Sequence, residues 1–212
     1  MHKKLARIFV FLWVTAVLLT ACNTAETYTE TFDETGSWRV ENSSDVIGEI
    51  HDGVFDFTVV ADELTSWTTA GKNFSDGIYS VEATQVAGPD NNAYGMLFRV
   101  DDENDNFYSF QISGDGFVWI GRYQDGGAAE AEPIVNDWWF ESPVINQGDA
   151  TNKLAVRAEG QNLIFYVNDQ EVGRVTDDAF SSGDVGLMVR TLGTGGVNVQ
   201  FDNFTVEPLP ES

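Results

Sequence analysis

The chain predicts an all-β fold, one domain of two stacked antiparallel sheets. Three observations carry that expectation. Apolar–polar alternation is broken by turn residues roughly every 8–12 positions, the rhythm of sandwiches and barrels. No stretch downstream of residue 22 sustains a helical period. Twenty glycines and 13% aromatics suit tight turns and the wide gap between two sheets.

Taken in order, residues 23–31 are polar and threonine-rich, and read as a tether running into a first strand. Ile50-His51-Asp52-Gly53 reads as a strand entering a turn. Alternation then predicts strands over 54–60, 78–85, 94–99, 107–112, 117–123, 153–159, 163–167, 171–175, 185–190 and 197–206. Turn signals separate them: Gly88-Pro89-Asp90-Asn91-Asn92, Ser113-Gly114-Asp115-Gly116, Glu159-Gly160-Gln161-Asn162, Val167-Asn168-Asp169-Gln170 and Gly193-Thr194-Gly195-Gly196. Residues 126–132 would make one helical turn or a loop. Neither an internal repeat nor a second domain is visible.

Parity sorts the faces. Tyr94, Met96 and Phe98 oppose Gly95, Leu97 and Arg99, while Tyr108, Phe110 and Ile112 oppose Phe107, Ser109 and Gln111. Val185, Leu187 and Val189 oppose Gly186, Met188 and Arg190. One side of each strand is apolar enough for a core, and the other is mixed.

The N-terminus has a different character. Lys3, Lys4 and Arg7 precede an uncharged apolar run over 8–19, then Leu19-Thr20-Ala21-Cys22. That order is a secretory signal, and its 12-residue run is shorter than the roughly 20 residues of a spanning helix. A cysteine straight after small residues resembles a bacterial lipobox, which implies acylation of Cys22 and removal of 1–21. The expected layout is a signal peptide over 1–21, a lipidated tether over 22–31, a sandwich over 32–207 and a tail over 208–212. Membrane association is then through lipid alone, at the cell envelope, facing the periplasm or exterior.

Cys22 is the single cysteine, so no disulfide is available once it carries lipid. Removal of 1–21 leaves 191 residues with 8 basic against 34 acidic, a net charge of −26 compared with −23 for the full chain. Such a body repels nucleic acid and anionic head groups, so no nucleic-acid partner is expected. His51 is the one histidine left, which excludes multi-histidine zinc sites and fits a surface residue beside a turn.

Several segments together resemble a known family: Phe74-Ser75-Asp76-Gly77-Ile78-Tyr79-Ser80-Val81-Glu82, Tyr94-Gly95-Met96-Leu97-Phe98-Arg99, Asn106-Phe107-Tyr108-Ser109-Phe110-Gln111-Ile112, Asn152-Lys153-Leu154-Ala155-Val156, Phe165-Tyr166-Val167-Asn168-Asp169-Gln170-Glu171-Val172 and Gly183-Asp184-Val185-Gly186-Leu187. Their order is similar to concanavalin A-like (laminin-G-like) jelly rolls, and within these to the 3-keto-disaccharide hydrolase domain of bacterial lipoproteins. Val199-Gln200-Phe201-Asp202-Asn203-Phe204-Thr205-Val206 resembles that domain's last strand. The resemblance implies a concave and a convex sheet, with ligands met on the concave face or its rim. It matches Arg99 to the arginine closing a family strand, and Glu82 to a polar residue on the neighbouring strand. The family's Asn-Ser-Gly before that strand is here Asn92-Ala93-Tyr94-Gly95, a departure at the inherited loop.

Retaining glycosidases need two carboxylates on one face, as in the Glu-x-Asp-x-Glu strand of laminarinase-type enzymes. The one Glu-x-Asp here is Glu103-Asn104-Asp105, in a hairpin loop, with Phe107 in the third position. Sugar binding is better supplied. Trp67, Trp119, Trp138 and Trp139 are candidate stacking platforms, and Glu82, Arg99, Gln111, Arg122 and Arg190 are candidate hydroxyl partners. Asp101, Asp102 and Asp105 offer oxygens for Ca²⁺ or simply form a hairpin turn; no other cofactor is expected. The leading expectation is an envelope-anchored module binding polysaccharide or oligosaccharide. The alternatives are a hydrolase of 3-keto-disaccharides or related sugars, working through Glu82 or another carboxylate, and an adhesive envelope component.

Overall fold

The computed structural model describes residues 26–39, 41–124, 126 and 131–210. Every regular element among them is a β-strand. Cys22 and the segment before it lie outside the described residues.

An eight-stranded antiparallel sheet runs in the order β13 (Gln170–Thr176), β12 (Asn162–Val167), β11 (Asn152–Glu159), β5 (Gly77–Ala87), β15 (Val197–Glu207), β3 (Val54–Val59) and β2 (Val46–His51). β1 (Tyr28–Glu30) continues the β3 side by pairing with the end of β15. A seven-stranded sheet runs β10 (Phe140–Glu141), β8 (Phe117–Tyr123), β7 (Asn106–Ser113), β6 (Ala93–Asp101), β14 (Asp184–Arg190) and β4 (Thr65–Thr69). β9 (Glu132–Pro133) also pairs with β8. The two sheets stack into an all-β sandwich.

Alternation did its expected work. Tyr94, Met96, Phe98, Tyr108, Phe110 and Leu187 point inward from the seven-stranded sheet, to meet Tyr79, Val81, Leu154, Phe165 and Phe201 from the other. Aromatic rings bridge the gap, with Phe98 stacked on Tyr108 at 5.1 Å and Phe110 edge-on to Phe165 at 5.4 Å. Each such ring contributes about 1.5–3 kcal/mol by leaving water, enough collectively to hold a fold without a cross-link.

Two departures matter. Thr65-Ser66-Trp67-Thr68-Thr69 forms an edge strand, β4, that is absent from the expected set although its threonines and tryptophan favour strand. Arg99 also breaks parity. The β6–β7 register shifts between Phe98 and Asp101, and Arg99 takes a left-handed φ of 53°. That bulge swings its side chain off the outer face and into the end of the sandwich.

Candidate functional site

Residues of opposite parity to the core line the outer face of the seven-stranded sheet. Strand pairing sets Trp67, Met188, Gly95, Gln111 and Trp119 side by side in one row. Three of these were expected from sequence to serve a ligand, and one row does bring them together. Most of the row is nonetheless covered. Leu97, Val100, Phe107, Trp119, Tyr123 and Met188 form a second buried cluster, with Trp67, Ala131 and Trp139 packed against it.

Trp119 is 2% exposed and Gln111 fully buried, so neither is open to a sugar. The reason is local. Gly121 has no side chain, and an added Cβ would fall 2.3 Å from the Trp119 ring. The indole therefore lies flat along the sheet, with Trp139 above it at 6.5 Å between centroids. Gln111 Nε2 donates to Ser109 Oγ at 2.7 Å and to Met188 Sδ at 3.2 Å. Among the described residues, Gln111 Oε1 and the Tyr123 hydroxyl have no partner of hydrogen-bonding geometry. Burial pushes the Tyr123 phenol up, with nearby Arg190 and Gln111 opposing it. Arg190 is half-buried on this same face.

One accessible part of the face lies at its β4 rim. There a cleft of about 430 Å³ runs along Thr65, Ser66 and Trp67. Its other walls come from the chain before β2 (Arg39, Glu41, Ser43, Asp45) and from the β6–β7 hairpin (Asp102, Asp105). Arg39 N–H donates to Thr69 O, and Thr68 Oγ1 donates to Arg39 O, which seats that segment along the β4 edge. Asp102 Oδ2 accepts from Thr69 Oγ1 at 3.0 Å and stands 3.6 Å from Arg39 Nη2. One side of the Trp67 indole packs on Phe107, with centroids 5.5 Å apart, and the ring is left half-buried at the cleft. Arg39 and Glu41 carried no signal in sequence, because 37–45 neither alternates nor forms a motif.

The other expected residues scatter. Glu82 projects from the outer face of the eight-stranded sheet, on the far side of the sandwich, and accepts from Asn203 Nδ2 at 3.1 Å. Arg99 is 1% exposed, donating to Phe180 O at 2.9 Å and to Asp76 Oδ1 at 3.1 Å. Arg122 is held by Glu132 at 2.9 Å and Asp177 at 2.7 Å. None of these three joins the cleft. Trp138 is 61% exposed, the most open large apolar residue among those described.

The acidic hairpin does not converge either. Asp101 accepts from Glu103 N–H and Asn104 Nδ2, closing its own turn, while Asp102 faces Thr69 and Arg39. Among the described residues no three His, Cys, Asp or Glu side chains gather closely enough to hold a metal ion. His51 is half exposed beside Asp52 and Asp56.

The fold is that of a concanavalin A/galectin-like jelly roll. No family model and no curated protein matches the chain. Solved structures do. A carbohydrate binding module, CBM66 from Bacillus subtilis, is 22% identical with a TM-score of 0.63, covering 81% of this chain and 96% of its own. A β-1,3-1,4-glucanase (lichenase) derived from a mouse hindgut metagenome is 15% identical with a TM-score of 0.64, covering 86% and 99%. The Bacillus licheniformis β-glucanase is 12% identical with a TM-score of 0.63, covering 88% and 100%.

Proposed function

We propose that the protein is a carbohydrate-binding module, held at the cell envelope by lipid on Cys22. The observation that carries the binding reading is the rim cleft. It sets a half-buried indole, Trp67, beside Arg39, Ser66 and Asp102, within the size range of small-ligand sites. A sugar ring lays its C–H face on such an indole and shares its hydroxyls among such polar groups. That solved structures sharing this fold include a carbohydrate binding module and glucanases agrees with the reading.

Binding is favoured over hydrolysis by what the outer face carries. On β6 its residues are Ala93, Gly95 and Leu97; on β7 they are Phe107, Ser109, Gln111 and Ser113; on β8 they are Phe117, Trp119, Gly121 and Tyr123. Thr65, Trp67 and Thr69 of β4, Gly186, Met188 and Arg190 of β14, Val100 beyond the β6 bulge and Glu141 of β10, opposite Phe117, share that face. Glu141, at the edge opposite the rim cleft, is the one carboxylate of this set, and the cleft's own acids come from two loops rather than from alternate positions of one strand, whereas glycoside cleavage of the usual kind needs two carboxylates set on one face. Asp184, at the start of β14, is occupied by the Gly71 and Lys72 N–H groups. Product release from a 3-keto-disaccharide by the purified domain would restore the hydrolase reading.

Affinity electrophoresis and tryptophan-fluorescence titration against a polysaccharide panel test the binding. At least one polysaccharide is expected to retard the wild type and not Trp67→Ala; no shift with any of them removes the proposal. For the anchor, intact-mass analysis of the mature protein is expected to find an acylated N-terminal Cys22. Cys22→Ser should release the protein from the membrane fraction.

A further inference from the structure

The charge of the rim cleft goes one step beyond its shape. Arg39 is the one basic residue in its lining, against Glu41, Asp45, Asp102 and Asp105. Arg39 stands 3.6 Å from Asp102, so that pair is largely balanced. Glu41, Asp45 and Asp105 have no basic partner among the described residues; the Asp45 side chain meets only the Ser44 hydroxyl, at 3.2 Å. Three carboxylates without a basic partner thus share with the Trp67 indole the lining of a cleft large enough for a sugar ring.

Resting on the reading that this cleft holds sugar, we propose that it selects glycans bearing free amino groups and rejects uronate-bearing or sulfated ones. The chemistry is direct. A protonated amine on a stacked ring gains from the three carboxylates and from the electron-rich face of Trp67. An anionic ring meets like charge in the same place, and the −23 of the whole chain steers diffusing ligands with the same sign. Neutral glycans would keep the stacking and the hydroxyl contacts alone.

Three oligomers with the same β-1,4 skeleton isolate the effect: glucosamine, N-acetylglucosamine and glucose oligomers, with polygalacturonate as the anionic arm. Titration is run in mildly acid buffer, where the glucosamine amines are protonated. The glucosamine oligomer is expected to bind about tenfold more tightly than its acetylated counterpart at low salt, with the gap closing at high salt. Polygalacturonate should not bind. Asp105→Asn should narrow the gap. Asparagine tolerates the left-handed backbone that Asp105 adopts (φ 49°), so that variant is expected to fold.

If the amine-bearing and acetylated oligomers bind equally, and both need Trp67, the charge selection is wrong while the sugar site stands. A preference that survives in Trp67→Ala reports only the overall acidity of the chain, and overturns the proposal. If no oligomer or polysaccharide depends on Trp67, the binding reading itself falls.

Discussion

Arg99 and Asp76 form an asymmetric pair: the guanidinium is 1% exposed and its carboxylate partner 46%, with 3.1 Å between them. Arg99 leaves β6 at the bulge and reaches across the end of the sandwich to the residue just before β5. Asp76 Oδ1 also accepts from Gly160 N–H at 3.0 Å, so one carboxylate oxygen ties three segments together.

Removing the exposed partner should therefore cost more than replacing the buried one. Asp76→Ala strands a buried cation. Because Asp76 is half exposed, water takes over part of its role, so the loss is about 2 kcal/mol rather than the roughly 3–5 kcal/mol of a sealed pair. Arg99→Met removes charge and requirement together and should cost less. The double variant should recover part of the Asp76→Ala loss. Urea denaturation midpoints check this; a neutral Asp76→Ala refutes it.

Asp177 governs acid stability at the neighbouring edge. Burial would raise its carboxyl, but hydrogen bonds from Tyr108 and the Ala179 N–H, with the Arg122 charge, hold it below its ordinary 3.8. The folded state thus gives up this proton more readily than the unfolded state. Its contribution is complete above about pH 4 and is lost as pH falls through the folded value. Asp177→Asn should flatten the acid limb of stability against pH, followed by urea midpoints in a pH series.

Tyr79 acts at the other extreme. Burial pushes its phenol up from 10.0 to about 12, against the pull of the Arg99 charge. Here the unfolded state loses its proton first, so the contribution is full below about pH 10 and disappears as pH rises toward the folded value. The hydroxyl donates to Ser75 O, so Tyr79→Phe should cost about 1 kcal/mol at neutral pH and less in alkali. A constant difference between the two proteins from neutral to alkaline pH would contradict this.

The fold was legible because its core strands alternate cleanly. The strand expected over 117–123 is β8 (Phe117–Tyr123), and most of the others differ by one or two residues at their ends. The candidate site was only half legible. Parity set Gln111 on the mixed side of its strand and Trp119 was a candidate by residue type, but neither signal says what lies above a face, and Trp139 with Ala131 covers it. Nor does parity say which sheet a strand joins, so Glu82 was grouped with residues on the opposite side of the sandwich. Arg99 was misplaced by a bulge, whose left-handed residue leaves no mark on alternation. Trp67 was recognised as a candidate, while the cleft beside it depends on Arg39 lying along the β4 edge, with Glu41, Ser43 and Asp45 in the same wall, a long-range contact that local pattern does not encode.

Two tryptophans of one row therefore separate stability from recognition. Trp119 is buried over Gly121 and beneath Trp139, so Trp119→Ala opens a cavity in the second cluster and should cost about 3–5 kcal/mol. Trp67 stands at the end of the same row, with one side on Phe107 and the other at the cleft. Its truncation removes a partly solvated ring, so Trp67→Ala should cost no more than about 2 kcal/mol while abolishing polysaccharide retardation. Denaturation and affinity electrophoresis on the same two variants read both quantities. If Trp119→Ala stays folded and loses binding while Trp67→Ala binds normally, the ligand surface is the covered middle of the sheet, and the rim cleft is not the site.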